Sequence, residues 1–134
     1  MRVFKILAVL FLSFQLVNPA AAMTGNKGEP AHYLALGDSL AAGVIETNEI
    51  GTGYTDVLAE MLEDEGLLAS YNKGFAYPGY KTEHILAELD KDAEKPSSET
   101  GENVSLLDEV KKADVITISV GANDVLGNVK RRGR

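Results

Sequence analysis

Ser39 closes the stretch Tyr33-Leu34-Ala35-Leu36-Gly37-Asp38-Ser39 and is followed by small residues up to Gly43. A serine hydroxyl becomes a useful nucleophile only with a base to take its proton and donors to hold the developing oxyanion. Two later stretches offer such donors. Gly79, in Tyr77-Pro78-Gly79-Tyr80, has no Cβ and brings a bare backbone N–H close to a ligand. Asn123, in Gly121-Ala122-Asn123-Asp124, lies 84 positions after Ser39 and adds a neutral amide that donates without competing as a base. With the N–H of Ser39 itself they make one nucleophile and three oxyanion donors, the equipment for acyl transfer.

The elements between these residues decide whether they meet. His32 to Leu36 is a short strand leading into the Ser39 loop. Tyr54, Val57, Leu58, Met61 and Leu62 recur at helical spacing up to a stop at Gly66, and Leu67 to Asn72 fits a second strand. Ile85, Leu86 and Leu89 mark a second helix after Thr82, and Lys95 to Glu102 reads as a surface loop. Leu106, Leu107 and Val110 mark a third helix, where Ser105 and Asp108 have capping-box spacing. Val115 to Val120 is a β-branched run bounded by Gly121, which suits a central parallel strand buried on both faces. Strands alternating with helices predict a parallel α/β sheet. The loops leaving its carboxyl ends gather along one edge, where open α/β sheets bind ligands, so the loops of Ser39, Gly79 and Asn123 are expected to converge there.

Gly37-Asp38-Ser39-Leu40 (GDSL), the glycine loop at 72–82 (NKGFAYPGYKT) and Gly121 to Asp124 (GAND) resemble, in order, the first three sequence blocks of the SGNH or GDSL family of serine ester hydrolases. GDSLAAG with GTGY downstream is similar to the secreted bacterial lipase or acylhydrolase branch. The resemblance implies a three-layer α/β/α, flavodoxin-like parallel sheet without metal or cofactor. It implies Ser39 as nucleophile, with the Ser39 N–H, the Gly79 N–H and the Asn123 side chain as the oxyanion hole.

One family block is missing. The resemblance implies a base histidine and its orienting aspartate from an Asp-x-x-His block on a late loop, and the 134 residues contain no such spacing. The expectation is therefore a C-terminally truncated member holding the first three strands of the sheet, with a hydrophobic face and an unpaired edge open to self-association. The closing VKRRGR clusters four cations and is read as a premature stop or a shifted frame, or as a genuine basic tail. The two histidines fit poorly as substitutes. His84 falls on the second helix without motif spacing and is expected to face solvent; His32 sits at the wrong end of its strand.

Other residues of these loops have structural readings. Asp38 is expected to cap the helix that follows it rather than do chemistry. Asp124 is expected to be a turn residue beside Asn123, since no ligand cluster accompanies it. Tyr77 and Tyr80 either line an acyl pocket or pack the loop. Gly74 serves backbone geometry.

Residues 1–22 carry Arg2 and Lys5, then a mostly apolar stretch from Ile6 to Val17, then Asn18-Pro19-Ala20-Ala21-Ala22. That is the order of a secretory signal peptide cut after Ala22, and the apolar stretch is shorter than the roughly 20 residues a spanning helix needs. Residues 23–31 read as a linker and 32–134 as the N-terminal portion of the hydrolase domain. Without the signal, 112 residues carry 11 Lys and Arg against 20 Asp and Glu, a formal charge of −9. That balance speaks against nucleic acid as a partner and leaves a small-molecule or lipid acyl ester as the expected substrate. With no cysteine, neither a lipid-modified N-terminal cysteine nor a disulfide is available. The function expected is a secreted serine ester hydrolase acting through a Ser39 acyl-enzyme. The alternatives are a catalytically inactive remnant or binding fragment, and one half of a split hydrolase.

Overall fold

A computed structural model describes residues 28–132, and the side chains of residues 28–127. The signal-peptide reading of residues 1–22 lies outside the described residues. Among the described residues no helix is long and apolar enough to cross a membrane.

The sheet is built on β1 (Ala31–Gly37), whose Tyr33, Leu34, Ala35 and Leu36 are all buried. Residues buried on alternate faces need cover on both, and helices supply it. β2 (Leu68–Ala76) pairs parallel with β1 on one side, and β5 (Val115–Ser119) pairs parallel on the other, giving the order β2-β1-β5. On one face Tyr33 and Ala35 pack with Leu58, Ala59 and Leu62 of a helix spanning Tyr54–Asp64, and the Tyr33 ring stacks on Tyr71 with centroids 5.1 Å apart. On the other, Leu34, Leu36 and Phe75 pack with Ile85 and Leu89 of the helix Thr82–Asp90 and with Leu106 and Val110 of the helix Leu106–Lys112. Helices therefore lie on both faces of a parallel sheet, the three-layer arrangement expected.

With the short helix Ser39–Ala42 as α1, these three are α2, α3 and α4, and α5 spans Ala122–Arg132. Two short strands, β3 (Glu94–Pro96) and β4 (Asn103–Ser105), pair antiparallel before α4. The Ser105 hydroxyl caps α4 by accepting from the Asp108 N–H at 3.2 Å.

Three expectations need correction. β5 is an edge strand of the described sheet, and β1 is the strand buried on both faces. Ile116 and Ile118 are in register with Leu34 and Leu36, yet 40% and 60% exposed, because α3 and α4 cover the middle of the sheet and not this margin. The second strand runs on to Ala76, well past Asn72, because an irregularity in the β1–β2 register sits opposite Leu34 to Leu36. Within it, the Asn72 side chain accepts from the Gly74 N–H at 2.8 Å, and a Cβ on Gly74 would lie 2.3 Å from the Pro96 carbonyl oxygen. Lastly, the surface loop expected over Lys95–Glu102 begins inside β3, and β4 follows it directly.

Candidate active site

β1, β2 and β5 end level with one another, since Gly37 is in register with Ala76 on one side and Ser119 on the other. Four bonds tie the loops that leave them. The Tyr77 N–H donates to the Gly37 carbonyl at 2.9 Å, and the Asp38 N–H donates to the Ser119 carbonyl at 2.8 Å. The Asn123 side-chain amide donates to the Tyr80 carbonyl at 2.9 Å, and the Thr82 N–H donates to the Asp124 carboxylate at 3.1 Å. The loops bearing Ser39, Gly79 and Asn123 thus converge at the carboxyl edge, with Ser39 on the central one.

Gly37 allows the first of these loops its path. Its φ is +142°, and a Cβ there would lie 2.2 Å from the Ser119 carbonyl oxygen, so only glycine lets β1 and β5 run this close. Asp38 then turns the chain into α1. Its buried carboxylate accepts from the Leu40 N–H at 3.0 Å and from the Ser119 hydroxyl at 3.2 Å, so it caps the helix and holds the end of β5 at once. Ser39 is the first residue of α1, where an N–H has no partner within the helix. No described residue hydrogen-bonds the Ser39 hydroxyl, and the residue is partly accessible.

Gly79 sits in a turn closed by the Tyr80 N–H donating to the Tyr77 carbonyl at 3.1 Å. Pro78 at the second position and Gly79 with φ +86° at the third are the pattern of a type II turn, in which the glycine N–H is outside the closing bond. Asn123, in the first turn of α5, spends one amide hydrogen on Tyr80 and keeps the second to donate. Asp124 accepts from both the N–H and the hydroxyl of Thr82 at the start of α3, so it joins α5 to α3.

Beneath this edge lies a cluster that the residue pattern did not reveal. The Tyr80 hydroxyl donates to Glu88, while the Lys95 ammonium donates to Tyr80 at 2.6 Å, pairs with Glu88 and lies 4.8 Å from the Tyr80 ring centroid. Glu88 is 5% exposed. Burial raises the Tyr80 hydroxyl pKa above its ordinary value, and its bond to Glu88 adds to this. For Lys95 burial opposes the charge, but bonds to Glu88 and Tyr80 outweigh it and raise its pKa. The one available signal was a carboxylate on the apolar face of α3, three residues after Ile85; nothing local marks Lys95, which arrives on β3.

Neither histidine reaches Ser39. The His32 ring shares a 2.7 Å hydrogen bond with the Ser70 hydroxyl near the amino end of β1. His84 is exposed on α3, accepts from the Lys81 N–H at 2.9 Å through Nδ1 and stacks against Tyr80.

No curated protein and no solved structure matches the chain. A family model does: residues 35–133, which include all three loops, match the GDSL-like Lipase/Acylhydrolase family. A serine, a turn glycine and an asparagine on three joined loops of a parallel sheet accord with that match, and the chain belongs to the GDSL-like lipase/acylhydrolase family.

Proposed function

We propose that this chain carries the nucleophile and oxyanion hole of a secreted carboxylic-ester hydrolase. The observation that carries the reading is the bonded convergence of the Ser39, Gly79 and Asn123 loops at one sheet edge. Ser39 Oγ attacks the ester carbonyl, and the carbonyl oxygen becomes an oxyanion held by the N–H groups of Ser39 and Gly79 and by the second amide hydrogen of Asn123. Collapse expels the alcohol and leaves an acyl-Ser39 ester, which water then cleaves. The Ser39 proton needs a base; the family resemblance calls for the histidine of an Asp-x-x-His block, a spacing these 134 residues do not contain, and added imidazole takes that part in the test below. The substrate is a small-molecule or lipid acyl ester, and residues 1–22 direct export.

A second reading is favoured by the placement of His32 and His84, both engaged away from Ser39. On that reading the chain binds esters but turns them over only when another polypeptide supplies the base. Hydrolysis of a p-nitrophenyl ester by the full chain and by Ser39→Ala, each with and without added imidazole as a soluble base, tests both readings. Serine-dependent hydrolysis without imidazole shows turnover with a base the chain itself supplies and counts against the second reading. Serine-dependent hydrolysis that appears only with imidazole supports the base-less site. Equal background rates in both proteins under both conditions overturn the assignment of Ser39.

A further inference from the structure

Beside the Ser39 helix the structure holds a half-open cleft of about 270 Å³. Its floor is Ala42, Gly74 and Ala76; Ile50 and Tyr77 stand at its rim; Lys73 and Ser98 lie at its far end. Ala42 is three residues after Ser39 on α1, so the two share a helix face, and Tyr77 is two residues before Gly79. The cleft therefore borders the helix that begins with Ser39 and the loop that carries Gly79. The small residues make the space, and the rim residues, 63% and 59% exposed, have apolar surface free to cover a ligand.

Charge decides what fits. The Lys73 ammonium is bound to the Asp56 carboxylate at 2.7 Å, so its positive charge is already matched. Lys73 and Ser98 also line a larger cleft of about 380 Å³ that carries Glu60, Glu63 and Glu99. A phosphate or carboxylate tail pushed past Lys73 meets that negative field. A neutral hydrocarbon meets mostly alanine, glycine, isoleucine and tyrosine surface, with Lys73 and Ser98 the polar part of the wall. At ~30 Å³ per water-sized group the space takes about nine such groups, a chain of up to about nine carbons rather than a long fatty chain.

We infer that this cleft, walled by Ala42, Ile50, Ala76 and Tyr77, takes a neutral hydrocarbon arm of the ester substrate of up to about nine carbons. The inference rests on Ser39 as the reacting residue, but binding in the cleft does not need Ser39 to react. An acyl chain or the chain of the alcohol can supply that arm, and both present the same chemistry to the cleft.

The test is a titration of the full chain, followed by amide NMR shifts, with acetamide, butyramide, octanamide and 1-butanol. Butyramide and 1-butanol are expected to shift the amides of Ala42, Gly74, Ala76 and Tyr77. Accompanying shifts at Ser39 and Gly79 identify the arm: with butyramide they point to the acyl side, with butanol alone to the alcohol side. Going from acetamide to butyramide is expected to tighten binding about tenfold, and octanamide to tighten it further by at least about threefold, since its eight carbons still fit the space. Ala76→Leu fills the cleft and is expected to weaken butyramide at least about tenfold. Ile50→Ser and Tyr77→Ser, both at exposed positions that leave the fold intact, each weaken it about threefold. Shifts centred on Glu60 and Glu63 or on Ile116 and Ile118, no gain in affinity from butyramide to octanamide, or unchanged binding in both rim variants overturns the inference. If Ser39 proves unreactive while these shifts are present, the cleft stands and the catalytic assignment fails; the reverse result separates them the other way.

Discussion

The Asn123 side-chain amide donates to the Tyr80 carbonyl at 2.9 Å, so Asn123 and the Gly79 turn, on separate loops, are held through one residue. Tyr80 also closes the turn that carries Gly79, through its N–H to Tyr77. Asn123→Ala removes this tie together with the donor proposed for the oxyanion. Reaction of Ser39 with a fluorophosphonate is expected to slow by a factor on the order of 10² to 10³, with a stability loss of only about 1 kcal/mol. A rate within threefold of the parent chain rules out Asn123 as a donor.

Gly37→Ala tests the contact that brings β1 against β5. The added Cβ meets the Ser119 carbonyl oxygen at 2.2 Å, and the φ of +142° is one that alanine rarely adopts. The expected loss is at least about 2 kcal/mol, read from urea unfolding. An unchanged midpoint refutes the close approach.

The Glu88–Lys95 pair is expected to behave as a buried ion pair under the Tyr80 loop. Lys95→Met leaves the Glu88 carboxylate without its cation and is expected to destabilise the fold by about 3 kcal/mol, whereas Glu88→Leu combined with Lys95→Met recovers most of the loss. Additive losses in the double variant contradict a coupled pair.

Stability is expected to fall at both ends of the pH range. Lys95 and Tyr80 both hold their protons in the folded chain above their ordinary values of 10.5 and 10.0. The native state therefore binds more protons than the unfolded state above about pH 10, and stability that is complete below that pH drains away as it rises. Asp56 works in the opposite direction. Burial raises its pKa, but Lys73, the Gly53 N–H and the Tyr71 hydroxyl outweigh this and hold it below 3.8, so its contribution is present above that pH and lost as the pH falls through the folded value. Thermal melts from pH 3 to 11 read both limbs; Lys73→Met is expected to flatten the acid limb and leave the alkaline one.

The margin of the sheet makes a prediction of its own. Ile116→Thr and Ile118→Thr replace exposed side chains on β5 and are expected to change stability by less than about 0.5 kcal/mol. They are also expected to lower self-association in sedimentation, because β5 presents an apolar face and, among the described residues, an unpaired strand edge. Association unchanged by both substitutions places the contact elsewhere.

The elements fixed by local chemistry were legible in the sequence. The helical spacing of α2, the Ser105 cap of α4 and the Asp38 cap of α1 each depend on residues within one turn. The face α2 buries, however, is set by the sheet: Leu58 and Leu62 pack with Thr55 and Ala59 inward, whereas Tyr54, Val57 and Met61 of the expected apolar face are exposed. The loop positions of Ser39, Gly79 and Asn123 followed from strand–helix alternation, because parallel strands must point one way. What failed depended on distant partners. A β-branched run such as Val115–Ser119 fits a pleated strand but does not say how many neighbours that strand has, so its edge position was missed. The polar residues Asn72, Lys73 and Gly74 hid the continuation of β2, since the register irregularity there suspends the usual alternation. The Tyr80–Glu88–Lys95 cluster joins three elements, and no window of sequence contains the reason for it.

The central claim is that Ser39 is the nucleophile of an acyl-transfer site, and site-resolved labelling tests it most directly. The full chain is treated with a fluorophosphonate in the presence of imidazole and digested, and the modified residue is located by mass spectrometry. The account predicts one phosphonyl group on Ser39, its loss in Ser39→Ala, and undiminished labelling in His32→Ala and His84→Ala. A folded chain that stays unlabelled at Ser39, or that carries the group on another residue, contradicts it.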